Sequence, residues 1–178
     1  MVLAGNYMQN IIDAVQRALA DKNYTAALMV TLTIPDICGK MEGEKQGKRR
    51  YITWFEKYLK TKYNGFLSGK DCYALRCAIL HEASEDISEQ SISEILQLFY
   101  FVTNGAHCNR FSRSSFGSEQ YDQKEVLTIS VQNFCQDFIE AVKQWLANTA
   151  SSPRVQKNLG SMFKIHEPGD QMGIIRIG

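Results

Sequence analysis

Residues 131–147, VQNFCQDFIEAVKQWLA, constrain this chain more than any other segment. Val131, Phe134, Cys135, Phe138, Ile139, Val142, Trp145 and Leu146 recur at three- and four-residue spacing. That period places all eight on one side of an α-helix, and so large an apolar face must be buried against other helices. Residues 6–20 repeat the pattern with Met8, Ile11, Ile12, Val15 and Leu19. Asn23 is placed to cap a second helix from Tyr24 to about Thr33, which Pro35 and Gly39 are expected to stop. A polar loop over 36–47 leads to a third helix, 48–63, with the core stripe Tyr51, Trp54, Phe55, Tyr58 and Leu59. Ser68, with Asp71 three residues on, marks the start of a fourth helix over 69–83.

Two apolar runs break the helical rhythm. Residues 95–102 (ILQLFYFV) and 126–130 (VLTIS) read as strands that pair with each other. The intervening 104–124 is poor in apolar residues and reads as a long loop. After Pro153 the tail is expected to add a short helix near 154–159 and a last strand at 174–177. The fold class is therefore mainly α: about five helices in a bundle, with a small β-hairpin or sheet inserted before the last long helix. One domain covers 1–178, with a helical core over 6–83 and 131–148, an insertion over 93–130, and a tail over 150–178.

Composition narrows the setting. With 178 residues, of which 44% are hydrophobic, the chain can build a real core. Its five cysteines are odd in number, and two lie within apolar helical patterns, so reduced thiols in a cytoplasm are expected rather than a disulfide framework. No basic and apolar leader opens the sequence, and no apolar run is long enough for a membrane span.

The segment with chemistry is the fourth helix, GKDCYALRCAILHEAS. From Cys72 to Leu80 it is apolar on nearly every face, yet Arg76 stands in the middle and His81 at the end. A guanidinium placed among apolar residues needs a partner. Asp13 and Glu82 are candidates. On an α-helix, residues five apart lie about 140° apart around the axis, so Arg76 and His81 do not share a face. Convergence of two copies of the helix would bring them into one cleft. Cys77 and His81, four apart, do share a face, but Cys72, His107 and Cys108 complete no zinc spacing. No cofactor or metal is expected.

The sequence RCAILH resembles the shared Arg–His motif of the HEPN superfamily. The context LSGKDCYALRCAILHEASE, followed by VQNFCQDFIEAVKQWL, is similar to that family's prokaryotic and phage-associated branches. The resemblance implies a helical homodimer formed through helix 69–83. It implies metal-independent endoribonuclease activity, in toxin–antitoxin or phage-defence settings, with RNA and a cognate antitoxin or other protein as partners. Arg76 would neutralise the scissile phosphate, and His81 would act as general acid or base. The residue after the motif Arg is polar in many active members and is Cys77 here. That leaves a second reading open: a catalytically inactive helical dimer that binds RNA or a partner protein. A purely structural role, with Arg76 in a core ion pair, is a third.

Charge is uneven. Between positions 40 and 62, Lys40, Lys45, Lys48, Arg49, Arg50, Lys57, Lys60 and Lys62 face only Glu42, Glu44 and Glu56, in a chain whose net charge is +1. Lys48, Arg49 and Arg50 are the candidate phosphate-backbone contacts; a solvated helix face is the alternative.

Overall fold

A computed structural model describes residues 6–90, 94, 96–117, 120–163, 165, 171–172 and 175–176. It is mainly helical, with a small mixed sheet. Helix α1 (Asn6–Ala20) buries Met8, Ile12 and Val15, the stripe its period demands. Asn23 caps α2 (Tyr24–Met41), accepting from the Ala26 amide at 3.2 Å. Helices α3 (Gly47–Tyr58), α4 (Lys60–Tyr63) and α5 (Gly69–Cys77) follow, then α6 (Val131–Thr149) and α7 (Pro153–Gly160). The apolar stripe of α6 is buried from Val131 to Trp145, and Phe134 and Phe138 stack against Tyr63, Phe55 and Trp54.

The second helix does not stop at Pro35. It runs eighteen residues, with Pro35 and Gly39 buried inside it. Proline removes one backbone donor and crowds the preceding turn. Tertiary contacts outweigh that cost here, because α2 packs on α1, α3 and α6 at once. The Thr31 hydroxyl donates to Cys135 Sγ on α6 at 3.2 Å, and the Thr33 hydroxyl donates to the Val30 carbonyl at 2.7 Å. Only residues 42–46 remain of the expected loop. Gly39 serves close packing rather than termination: a Cβ there would lie 2.7 Å from Arg50 Cβ and 3.1 Å from its carbonyl oxygen. The third helix is also shorter than expected. It breaks at Leu59, and α4 turns Tyr63 onto α6, where its hydroxyl donates to Asp137 at 2.8 Å.

The sheet has the order β1–β3–β2, with β1 at Leu98–Val102, β2 at Asn109–Gly117 and β3 at Gln120–Ser130. The two expected strands do pair, but in parallel, Leu98 opposite Val126 and Val102 opposite Ser130. The antiparallel neighbour of β3 is β2, built from residues expected to form the long loop. Its exposed residues Arg110, Ser112 and Arg113 carry no apolar alternation to signal a strand. Ser130 ends β3 and caps α6, accepting from the Asn133 amide. The short helix after Pro153 is present, as α7. Of the expected terminal strand, Ile175–Arg176 is a strand paired with Gln171–Met172, while 174 and 177 lie outside the described residues, as does Ile95 of the first strand.

Candidate functional site

Helix α5 begins at a tight cap. Ser68 Oγ accepts from the Asp71 amide at 3.1 Å, and the Asp71 carboxylate in turn accepts from the Glu94 amide at 2.7 Å. Cys72, Ala74, Leu75, Ala78 and Ile79 face the core. The helix is not buried all round: Tyr73, Arg76, Cys77 and Leu80 are half-exposed, and His81 is exposed. An apolar sequence therefore covers one open face, and Arg76 stands on it.

After Cys77 the helix changes type. Ala78–Glu82 forms a π-turn, and Ala83 closes it in the left-handed region (φ 52°), its amide bonded to the Ala78 carbonyl. A π-turn bonds residue i to i+5 and is wound more loosely than an α-turn, so it narrows the angle between His81 and Arg76, which precedes the turn. The expectation that Arg76 and His81 diverge on a single helix is overturned for this reason. Arg76 Nη1 lies 3.1 Å from His81 Nε2. Guanidinium nitrogens only donate, so in a hydrogen bond between the two Nε2 is the acceptor.

The partner of Arg76 is neither Asp13 nor Glu82. Asp13 accepts from Gln9, and Glu82 accepts from Gln90. The counter-ion is Asp36 on α2, whose Oδ2 lies 3.0 Å from Arg76 Nη2. The other oxygen, Oδ1, accepts from Arg50 Nε at 3.2 Å. Asp36 thus bridges two guanidinium groups, one from α3 and one from α5. Burial is the largest single influence and opposes the charge on Arg76, but the Asp36 carboxylate, Cys77 and Tyr73 together outweigh it and raise the guanidinium pKa. Arg76 Nε is buried with no hydrogen-bond partner among the described residues. Cys77 Sγ lies 4.0 Å from Arg76 Nη1, the range of a weak contact. Desolvation raises the Tyr73 hydroxyl pKa, and the neighbouring Cys77 adds to it.

Of the three basic residues expected to bind phosphate, the fold brings only Arg50 to this site. Lys48 and Arg49 are exposed on the first turn of α3, and Arg49 pairs with Glu44 at 3.6 Å. Asp36 escaped the sequence reading because Pro35 hid the second half of α2. Followed through the proline, the α2 period puts Asp36 one turn beyond the buried Leu32, on a helix that meets α3 and α5. Cys77 and His81 form no contact as a dyad, and His107 belongs elsewhere, 3.5 Å from Asp137 and against Tyr63. Among the described residues no three potential ligands gather around a metal position.

The chain matches no protein-family model, no curated protein and no solved structure. The geometry itself therefore carries the functional argument. Among the described residues no helix is long and apolar enough to cross a membrane. All five cysteines are free, with Cys38, Cys72 and Cys135 buried.

Proposed function

We infer that the chain is a HEPN-type endoribonuclease that cleaves RNA with Arg76 and His81. The observation that carries this reading is the 3.1 Å approach of a guanidinium to an imidazole nitrogen on a solvent-open helix face. A phosphodiester at that face draws Arg76 onto a non-bridging oxygen, where the cation offsets charge in the transition state. His81 Nε2 then has its lone pair available for the 2′-hydroxyl proton. The 2′ oxygen bonds to phosphorus, the bond to the 5′ oxygen breaks, and that oxygen takes the proton from the His81 imidazolium, which returns the imidazole to its starting state. The products are a 2′,3′-cyclic phosphate and a 5′-hydroxyl.

The five longest helices, α1, α2, α3, α5 and α6, are read as the bundle of this family, with the strands as an insertion in a single domain. Two copies meet through the open face of residues 69–83 in this reading, in a cytoplasm, with an antitoxin or other protein as a further partner. One observation favours a second reading, an inactive module that binds RNA or protein: Asp36 already occupies Arg76, and Cys77 offers only a weak contact beside it.

Cleavage of single-stranded RNA in EDTA separates the two. The first reading predicts cyclic-phosphate ends, with a loss of at least about 100-fold in His81→Ala and Arg76→Ala. RNA left intact by the wild type, and growth of an expressing cell unaffected by either substitution, removes the nuclease reading; salt-dependent RNA retention then separates the binding reading from a purely structural role of the Arg76–Asp36 pair.

A further inference from the structure

A second cleft opens on the other side of Arg50. It is about 320 Å³ in volume and lies between the end of α2, the outer face of α3 and the start of α7. That is enough for one nucleotide-sized group. Two of its lining residues carry a buried polar atom that is not satisfied. Trp54 is 2% exposed and its Nε1–H has no hydrogen-bond partner among the described residues; Tyr58 is 7% exposed, and its hydroxyl meets only the Lys57 ammonium, for which it is an acceptor, so that its own O–H is undirected. Orphaned donors of this kind cost stability unless a ligand or water meets them.

Cations surround the two donors. Arg50, Lys57 and Arg154 all line the cleft. Lys57 Nζ lies over the Tyr58 ring, 4.9 Å from its centroid. Arg154 donates to the Glu42 carbonyl at 3.5 Å, and it fits there because position 43 is glycine: a Cβ would fall 2.9 Å from its Nη1. Two acids share the rim, and the charge of Glu42 acts on Lys57. The Glu42 carboxylate accepts from Trp145 Nε1 at 2.7 Å, and Glu44 faces Arg49 and the Gln46 amide. Among the described residues neither Lys57 nor Arg154 forms an ion pair.

We propose that this cleft is a phosphate subsite for the nucleotide that flanks the one cleaved at Arg76 and His81. Lys57 and Arg154 are exposed at the cleft, and the Trp54 Nε1–H and Tyr58 hydroxyl lie buried in its wall; all four are donors of the type an oxyanion accepts from. Arg50 links the two sites. It lines the cleft, and through Asp36 it is one carboxylate removed from Arg76, at 3.2 and 3.0 Å. The assignment to a flanking nucleotide rests on the RNA-cleaving reading; the presence of an oxyanion site does not.

The test uses 2′-O-methyl oligonucleotides, which lack the attacking hydroxyl: a dinucleotide with one internal phosphate, and a trinucleotide with two. The chain has two tryptophans: Trp54 lines the cleft, and Trp145 is buried behind it, donating to the lining residue Glu42. The trinucleotide should bind at least about tenfold tighter than the dinucleotide and change tryptophan emission. In the Lys57→Gln, Arg154→Gln double variant that gap should close while dinucleotide binding holds. Trp54→Phe, which removes only the N–H donor from the ring system, should narrow the gap with the fold retained by thermal melting. A gap that survives the double variant, an emission unchanged by the trinucleotide, or failure of both oligonucleotides to bind overturns the proposal, the last two leaving ordered water as the occupant. Cleavage assays on His81→Ala judge the other site separately. Wild-type cleavage without the gap removes the subsite alone; the gap without cleavage removes the nuclease alone and leaves an oxyanion site.

Discussion

Replacing Asp36 by Asn keeps the shape of the side chain and removes the charge that two arginines share. At 3.0 and 3.2 Å each ion pair is worth roughly 5 kcal/mol of bare Coulomb energy at an effective dielectric of about 20. Desolvation offsets most of that. The three side chains are 13–23% exposed, between surface pairs, worth about 0–1 kcal/mol, and buried ones, which cost about 3–5 kcal/mol to break. Asp36→Asn should therefore destabilise by about 2 kcal/mol, because it also leaves Arg50 and Arg76 facing each other unscreened. For a chain of this length that lowers Tm by about 4–8 °C. Urea denaturation of Asp36→Asn, Arg76→Gln and the double variant closes a cycle, with an expected coupling of about 1 kcal/mol or more. RNA cleavage should fall through kcat, since Arg76 loses its anchor, while RNA binding holds or tightens with the added positive charge. A destabilisation under about 0.5 kcal/mol, or a coupling indistinguishable from zero, refutes the shared-carboxylate reasoning.

The backbone offers two further tests. Gly39→Ala gains helix propensity but drives a Cβ to 2.7 Å from Arg50 Cβ and 3.1 Å from its carbonyl oxygen, so a net loss of about 1–2 kcal/mol is expected in urea unfolding. A stabilised Gly39→Ala would mean that α2 and α3 are not in close contact there. Ala83→Gly relieves a left-handed alanine at the end of the π-turn and should stabilise by about 0.5–1 kcal/mol, whereas a destabilised variant would contradict that backbone conformation. Thiol chemistry follows burial. Desolvation pushes Cys72 up to about 12 and Cys108 and Cys135 up to about 11, so these stay protonated, and unreactive, until well above neutral pH. At pH 8, iodoacetamide followed by mass spectrometry should find Cys77 modified first, and saturating RNA should protect it; equal labelling of Cys135 would contradict the burial argument.

The parts of the fold that could be read from sequence are those in which one period dominates. The stripes of α1 and α6 are wide and apolar, and both helices run within a residue or two of the expected bounds. Three features hid from that logic. Pro35 marks a helix end by local rules, yet contacts on three sides of α2 carry the helix through it, and Asp36 with it. Strand β2 is exposed at Arg110, Ser112 and Arg113, so it lacks the alternation that a half-buried strand writes into a sequence. The π-turn leaves no compositional mark at all. What the sequence did hold was the spacing of Arg76 and His81: residues five apart diverge on an α-helix, and the looser winding of a π-turn narrows that divergence.

These local exceptions cluster in space. The proline within α2 precedes the carboxylate that binds Arg76, the close α2–α3 approach at Gly39 admits Arg50 to the same carboxylate, and the π-turn with its left-handed Ala83 brings His81 back over Arg76. Each is unfavourable by itself: a proline inside a helix, a glycine in a helix interior, and a left-handed alanine all cost free energy. Among the described residues Lys22 (φ 58°) and Cys108 (φ 57°) are left-handed too, but they are not part of this group. Departures from such rules that converge on one group of polar side chains are the pattern expected where geometry has been selected for chemistry rather than for stability. If that is their cause, the three are coupled. Restoring an ordinary α-turn after Cys77, by deleting one residue of 78–82, would relieve the π-turn, swing His81 away from Arg76, and cost RNA cleavage while sparing the fold.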